Sequence, residues 1–257
     1  MCFFAAIILI MRTLYYVPII HTGADMGSLS KALAACGVSH LGEKKWHEHT
    51  GAVQKFWDVI ADYAAALPAD GLKIYQDGLV ADGDIGLKIV AAGVRAGSPN
   101  YRIVEMLVRR GAEIVKTEDF RLVLEERDRL LAIVEAPSGT AKIFAALKYR
   151  FLKNRLLDRR DAFIARRIAE TLPEGGGGIL FIGAYHKVRQ RLPKDIEVIE
   201  LKEAGKIRRY QELLLPRNGH QDEFSVLSRY LEAPVERGRD NSGRDPQNAV
   251  YGTGADE

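Results

Sequence analysis

Ile179-Leu180-Phe181-Ile182-Gly183-Ala184-Tyr185-His186 is the stretch whose interpretation decides the fold. Four large apolar residues in succession leave no polar face, so a strand made of them is buried on both sides. That is the situation of a strand inside a parallel sheet. The glycine run 175–178 ahead of it breaks the preceding helical pattern, and Gly183 behind it permits close approach of a ligand or neighbour. Tyr185 and His186 then stand at the carboxyl end, where the loops of a parallel sheet converge on ligands.

Outward from this strand the pattern alternates. Residues 12–20 (RTLYYVPII) are β-branched and aromatic, read as a second buried strand, and run into His21-Thr22-Gly23-Ala24-Asp25. A helix is expected over 28–35 and another over 51–67, where Val53, Phe56, Trp57, Ile60 and Tyr63 share a face. Residues 72–75 form a short strand that ends at Gln76-Asp77-Gly78. Helices follow over 85–94 and 101–110, the second with Ser98-Pro99 as N-cap and first residue and Gly111 as its stop. A weaker strand at 113–116 leads into Thr117-Glu118-Asp119 and an amphipathic helix over 120–134. Residues 138–172 are helical and basic, 196–201 (IEVIEL) are a strand, and 222–231 a last helix. Strands alternating with helices imply a single α/β domain, 12–236, with a mostly parallel sheet covered by helices on both faces.

The net charge of +3 is too small for a global pull toward nucleic acid or membrane. Cys2 and Cys36 have no metal-type spacing, so a disulfide framework is not expected and a reducing cytoplasm is the default location. Residues 1–10 (MCFFAAIILI) are wholly apolar but lack a basic region and are shorter than the ~20 residues of a membrane span. Residues 1–11 are expected to be a non-native or dispensable extension, with a membrane-associating tip as the alternative. Residues 237–257 carry almost no large apolar side chain and are expected to be a disordered tail.

The residues directly after the strands are His21 with Asp25, Asp77, Glu118 with Asp119, and His186. All can move protons or bind metal. Each also has a plainer role: His21 as a helix cap, Asp77 as a turn aspartate, Glu118-Asp119 as carboxylates at a helix N-terminus. Trp46-His47-Glu48-His49 looks like a metal cluster, but residues two apart do not share a helix face, so a solvated loop is expected. The glycine run is not a phosphate loop, because it precedes a strand and no GK[ST] follows. Between Lys142 and Arg167 nine Lys or Arg residues face only Asp158 and Asp161. That is a solvated helix face or an anion-binding surface; aromatic interleaving by Phe144, Tyr149, Phe151 and Phe163 is thin, and nucleic-acid binding is not favoured.

Residues 160–168 (RDAFIARRI), the strand ending Gly183-Ala184-Tyr185-His186, and the strand 196–201 together resemble the carboxyl-terminal half of the TraB/Tiki/ChaN-like group. There an Arg-led helix precedes an apolar strand ending in GxxH. The group's first GxxH corresponds to Pro18-Ile19-Ile20-His21, which keeps the histidine but has proline for glycine. Asp77 stands where a glutamate is usual, and Asp161 follows Arg160 where asparagine is usual. The resemblance implies a hydrolytic, metal-assisted site and leaves the substrate open.

The leading expectation is a hydrolase acting on a small molecule or peptide through His21, Asp77 and His186, with Arg160 stabilising an anionic group. The two histidines and Asp77 would hold a divalent metal ion whose bound water is activated, with Glu118 or Asp119 as general base. Without metal, the histidines would serve as acid and base. The rival expectation is a non-catalytic binding protein for a small anionic ligand, docking a partner through the basic helix.

Overall fold

Alternation along the strands assigns each side chain to one of two helical layers. In β1 (Arg12–Ile19), Leu14 and Tyr16 face one way and Val17 and Ile19 the other; in β4 (Gly177–Gly183), Leu180 and Ile182 oppose Ile179 and Phe181. A computed structural model describes residues 11–25, 30–134, 136, 138–214 and 221–236. The apolar segment 1–10, His220 and the tail 237–257 lie outside the described residues, as do the side chains of Cys36 and of 139–152 in the basic stretch.

With β2 (Lys73–Gln76), β3 (Glu113–Val115) and β5 (Ile196–Glu200), the strands form one parallel sheet in the order β3-β2-β4-β1-β5. The apolar quartet at 179–182 is fully buried, as its lack of a polar face requires. Burial of such a side chain contributes about 1.5–3 kcal/mol. On the Val17 and Phe181 face lie α2 (Glu43–Ala65), α3 (Gly83–Arg95), α4 (Pro99–Arg109), α7 (Ala204–Glu212) and α8 (Gln221–Glu232). On the Leu14 and Leu180 face lies α6 (Gly139–Thr171), through Ile164, Ala165, Ile168 and Leu172, with α5 (Phe120–Val134) packed on α6. Helix α1 (Ser30–Leu41) packs against α2. Among the described residues no helix is long and apolar enough to cross a membrane.

The first helix runs on to Leu41, past the expected 35, and two elements differ more. Helix α2 begins at Glu43, so Trp46-His47-Glu48-His49 forms its early turns instead of a loop. His47 and Glu48 are exposed, while His49 is buried with Nδ1 2.9 Å from the Tyr210 hydroxyl. Trp46, His49, Val53 and Phe56 continue one helical stripe, which the polar character of histidine disguises. Helix α7 was not expected at all. Its sequence AGKIRRYQE offers only Ile207 and Tyr210 as an apolar face, yet both are fully buried.

The connections define where a ligand would sit. From β2 the chain passes to β3 over the α3 and α4 face; from β4 it passes to β5 over the opposite face, through a 3-10 turn at Val188–Arg191. Adjacent strands that send the chain to opposite sides leave a crevice at their carboxyl ends. Asp77 follows β2 and His186 follows β4.

Candidate functional site at the carboxyl edge of the sheet

At the end of β2 the ladder continues for one bond, from the Asp77 N–H to the Phe181 carbonyl (2.9 Å), and then turns at Gly78, whose φ of +80° favours glycine. The turn aims the Asp77 carboxylate across the crevice, where Oδ2 accepts from the Gly183 N–H (3.2 Å). A Cβ on Gly183 would lie 3.4 Å from that oxygen and from His186 Cδ2. Both are ordinary van der Waals distances, so a small side chain would fit here.

The turn Gly183–His186, closed by the His186 N–H to the Gly183 carbonyl (3.0 Å), brings the imidazole back under the strand end, 7% exposed. Its Nδ1 lies 2.5 Å from Asp161 Oδ1, and Asp161 Oδ2 also accepts from the Lys187 N–H (2.8 Å). A carboxylate only accepts, so Nδ1 carries the proton and Nε2 is directed to the other side. There it stands 3.8 Å from Asp77 Oδ2. Burial lowers the imidazole pKa, but the Asp161 bond and the Asp77 charge outweigh it and hold it above 6.5. Burial likewise raises the Asp77 pKa, and His186, Arg160, His21 and the Gly183 N–H more than reverse this, leaving it below 3.8.

Beneath this pair lies Arg160. Its Nε and Nη2 grip Glu118, Nη2 also reaches Asp77 (2.7 Å), and Nη1 donates to Glu126. Its nitrogens are all taken by carboxylates, so Arg160 serves here to fix Asp77 and Glu118 and offers no free fork for a substrate anion. The Glu118-Asp119 pair divides its work. Asp119 Oδ1 accepts from the Arg121 N–H at the start of α5, whereas Glu118 is fully buried, its N–H and that of Thr117 both bonded to the Leu79 carbonyl. Burial pushes the Glu118 carboxyl up to about 7, against the pull of Arg160.

His21 stands on the rim, exposed, just past Ile20, and its positive form helps to keep Asp77 ionised. Asp25 closes the following turn by accepting from the Thr22 N–H (2.6 Å) and hydroxyl (2.9 Å). The structure thus brings Asp77, Glu118, Arg160 and His186 into one network, with His21 on its lip. Tyr185 completes the lip, flanked by Lys153 and Arg208 with their charges 5.3 and 5.8 Å from its ring. Gln76 Oε1 is buried without a hydrogen-bond partner among the described residues.

No family model, curated protein or solved structure matches this chain.

Asp161 and Glu126 were not singled out as site residues in the sequence. The one signal for Asp161 was its position in the resemblance, where it follows Arg160 and an asparagine is usual. Glu126 sits in an ordinary charged helix face and gives no signal. Of the residues expected to hold a divalent ion, Asp77 and His186 face each other across the crevice and His21 stands apart on the rim. Both Asp77 oxygens accept N–H groups, one from a guanidinium, and among the described residues no group of three His, Cys, Asp or Glu side chains is placed to hold a metal ion.

Proposed function

We propose that the chain is a hydrolase of a small ester or amide substrate, working through His186 with Asp161 and Asp77. The observation that carries this is the Asp161-bound imidazole whose second nitrogen stands 3.8 Å from Asp77 at the crevice. That gap is too long for a hydrogen bond and lets one water touch both groups. Neutral His186 takes a proton from that water at Nε2 as it attacks the substrate carbonyl. Asp161 stabilises the imidazolium, which returns the proton to the leaving group. Asp77, held ionised, orients the water. His21 and Tyr185 on the lip contact the substrate. The order of motifs shared with the TraB/Tiki/ChaN-like group supports the same reading.

The test is turnover of a broad ester and peptide panel by the wild type, His186→Ala, Asp161→Asn and Asp77→Asn. Loss of the acid–base pair is expected to lower the rate about 10²–10⁴-fold. Wild-type activity is expected to rise with pH through a value above 6.5, as His186 becomes neutral. Turnover that survives His186→Ala sinks the proposal, and ligand binding without turnover by the wild type favours the binding-protein alternative.

A further inference from the structure

Helices α5 and α6 are joined by two successive rungs. The inner one, Glu126 to Arg160, belongs to the crevice network, while the outer one joins Glu125 to Arg159 at 3.2 Å. Beside the outer rung lies a cavity of about 150 Å³ lined by Glu125, Arg129, Arg155, Leu156 and Arg159. Glu125 accepts from both Arg129 and Arg159, so one carboxylate answers three guanidinium groups in the wall. Two positive charges of the lining are left over.

Arg129 Nη1 is buried and has no hydrogen-bond partner among the described residues. The Arg129 guanidinium is 26% exposed and already paired with Glu125, but this one enclosed N–H edge lacks an acceptor, and in a basic cavity it asks for an anion. Size narrows the choice. Organic ligands of drug size occupy pockets of about 300–1,000 Å³, whereas this one has about 150 Å³. Guanidinium forks match the oxygens of a tetrahedral oxyanion in pairs, and phosphate above all.

We propose that the α5–α6 cavity binds a phosphate-class oxyanion, held by Arg129, Arg155 and Arg159. The anion is free phosphate or the phosphate end of a small phosphomonoester. Glu125 positions two of the three arginines, and the one-residue offset from Glu126 and Arg160 makes the site separate from the crevice yet adjacent to it.

Isothermal titration of the full chain with inorganic phosphate and with phenyl phosphate, at constant ionic strength, tests this. Arg155→Gln changes an exposed helical position, and Arg129→Gln removes the orphan donor. Saturable binding by the wild type is expected, weakened about tenfold by either change through loss of one charge-assisted hydrogen bond. His186→Ala is expected to bind as the wild type does, whether or not the crevice is catalytic. Binding of phosphate alone identifies the free anion; binding of both probes identifies the phosphate end of an ester. Absence of saturable heat with both probes, or wild-type affinity in both arginine variants, overturns the proposal.

Discussion

Raising the pH from about 5 to about 8 is expected to weaken this fold, and Glu118 is the main cause. Its carboxyl is fully buried, and its partner Arg160 is shared with Asp77 and Glu126. One guanidinium does not balance three carboxylates, so desolvation dominates at the deepest of them and lifts its pKa from 4.5 to about 7. The folded chain then keeps a proton that the unfolded chain releases. Stability from this group is complete below 4.5 and is lost as the pH climbs through about 7. At about 1.4 kcal/mol per pH unit, the span corresponds to on the order of 3 kcal/mol of unfolding free energy. His186, whose pKa is also raised, adds in the same direction. Asp77 contributes stability that is already complete above 3.8, so it leaves the slope in this window unchanged. Glu118→Gln stays neutral throughout and keeps an oxygen for Arg160. Urea unfolding across the window is expected to show the wild type losing on the order of 3 kcal/mol more than the variant. Parallel profiles would refute the argument, and a wild type that gains stability with rising pH would show that the ion pair outweighs burial.

Two further outcomes follow from packing. Burial holds His49 neutral in the fold, with its pKa lowered to about 4, so its contribution to stability is present above 6.5 and is lost as the pH falls. His49→Phe is expected to lose about 1 kcal/mol at neutral pH with the bond to Tyr210, yet to flatten the acid side of a melting-temperature profile; an unchanged acid side would contradict it. A Cβ at Gly178 would lie 3.1 Å from Leu172 and Tyr75 and 3.3 Å from Leu14. Gly178→Ala is therefore expected to cost about 1–3 kcal/mol in denaturant unfolding, and a neutral result would mean that the layer yields more easily than its packing implies.

What could be read in advance divides along physical lines. The central strands β1 and β4 announce themselves because burial on both faces demands apolar runs, whereas the edge strands β3 and β5 are short and only partly buried and were legible from their β-branched residues between turns and helices. Helices whose contact surface is mixed were not: α7 hides behind its charges, and the first turns of α2 hide behind Trp46-His47-Glu48-His49. At the site, the strand-end rule pointed to Asp77, Glu118 and His186 because it depends only on topology. It said nothing about pairing. That Arg160 would be consumed by Glu118, Asp77 and Glu126, and that Asp161 would hold His186, depends on the rotation of α6 against the sheet, which no local pattern encodes.

The position of β1 has a consequence for how the protein comes into being. Its two neighbours, β4 and β5, are both encoded far downstream; Arg12 makes its ion pair with Asp195, 183 residues along the chain. At about 5–20 residues per second of synthesis, β1 emerges roughly eight to thirty seconds before it has anything to pair with. Throughout that interval an apolar segment with two open edges is exposed to other nascent chains. Assembly of the sheet therefore waits for the synthesis of β4, and the yield of folded protein is expected to depend on how well β1 is shielded until β4 arrives.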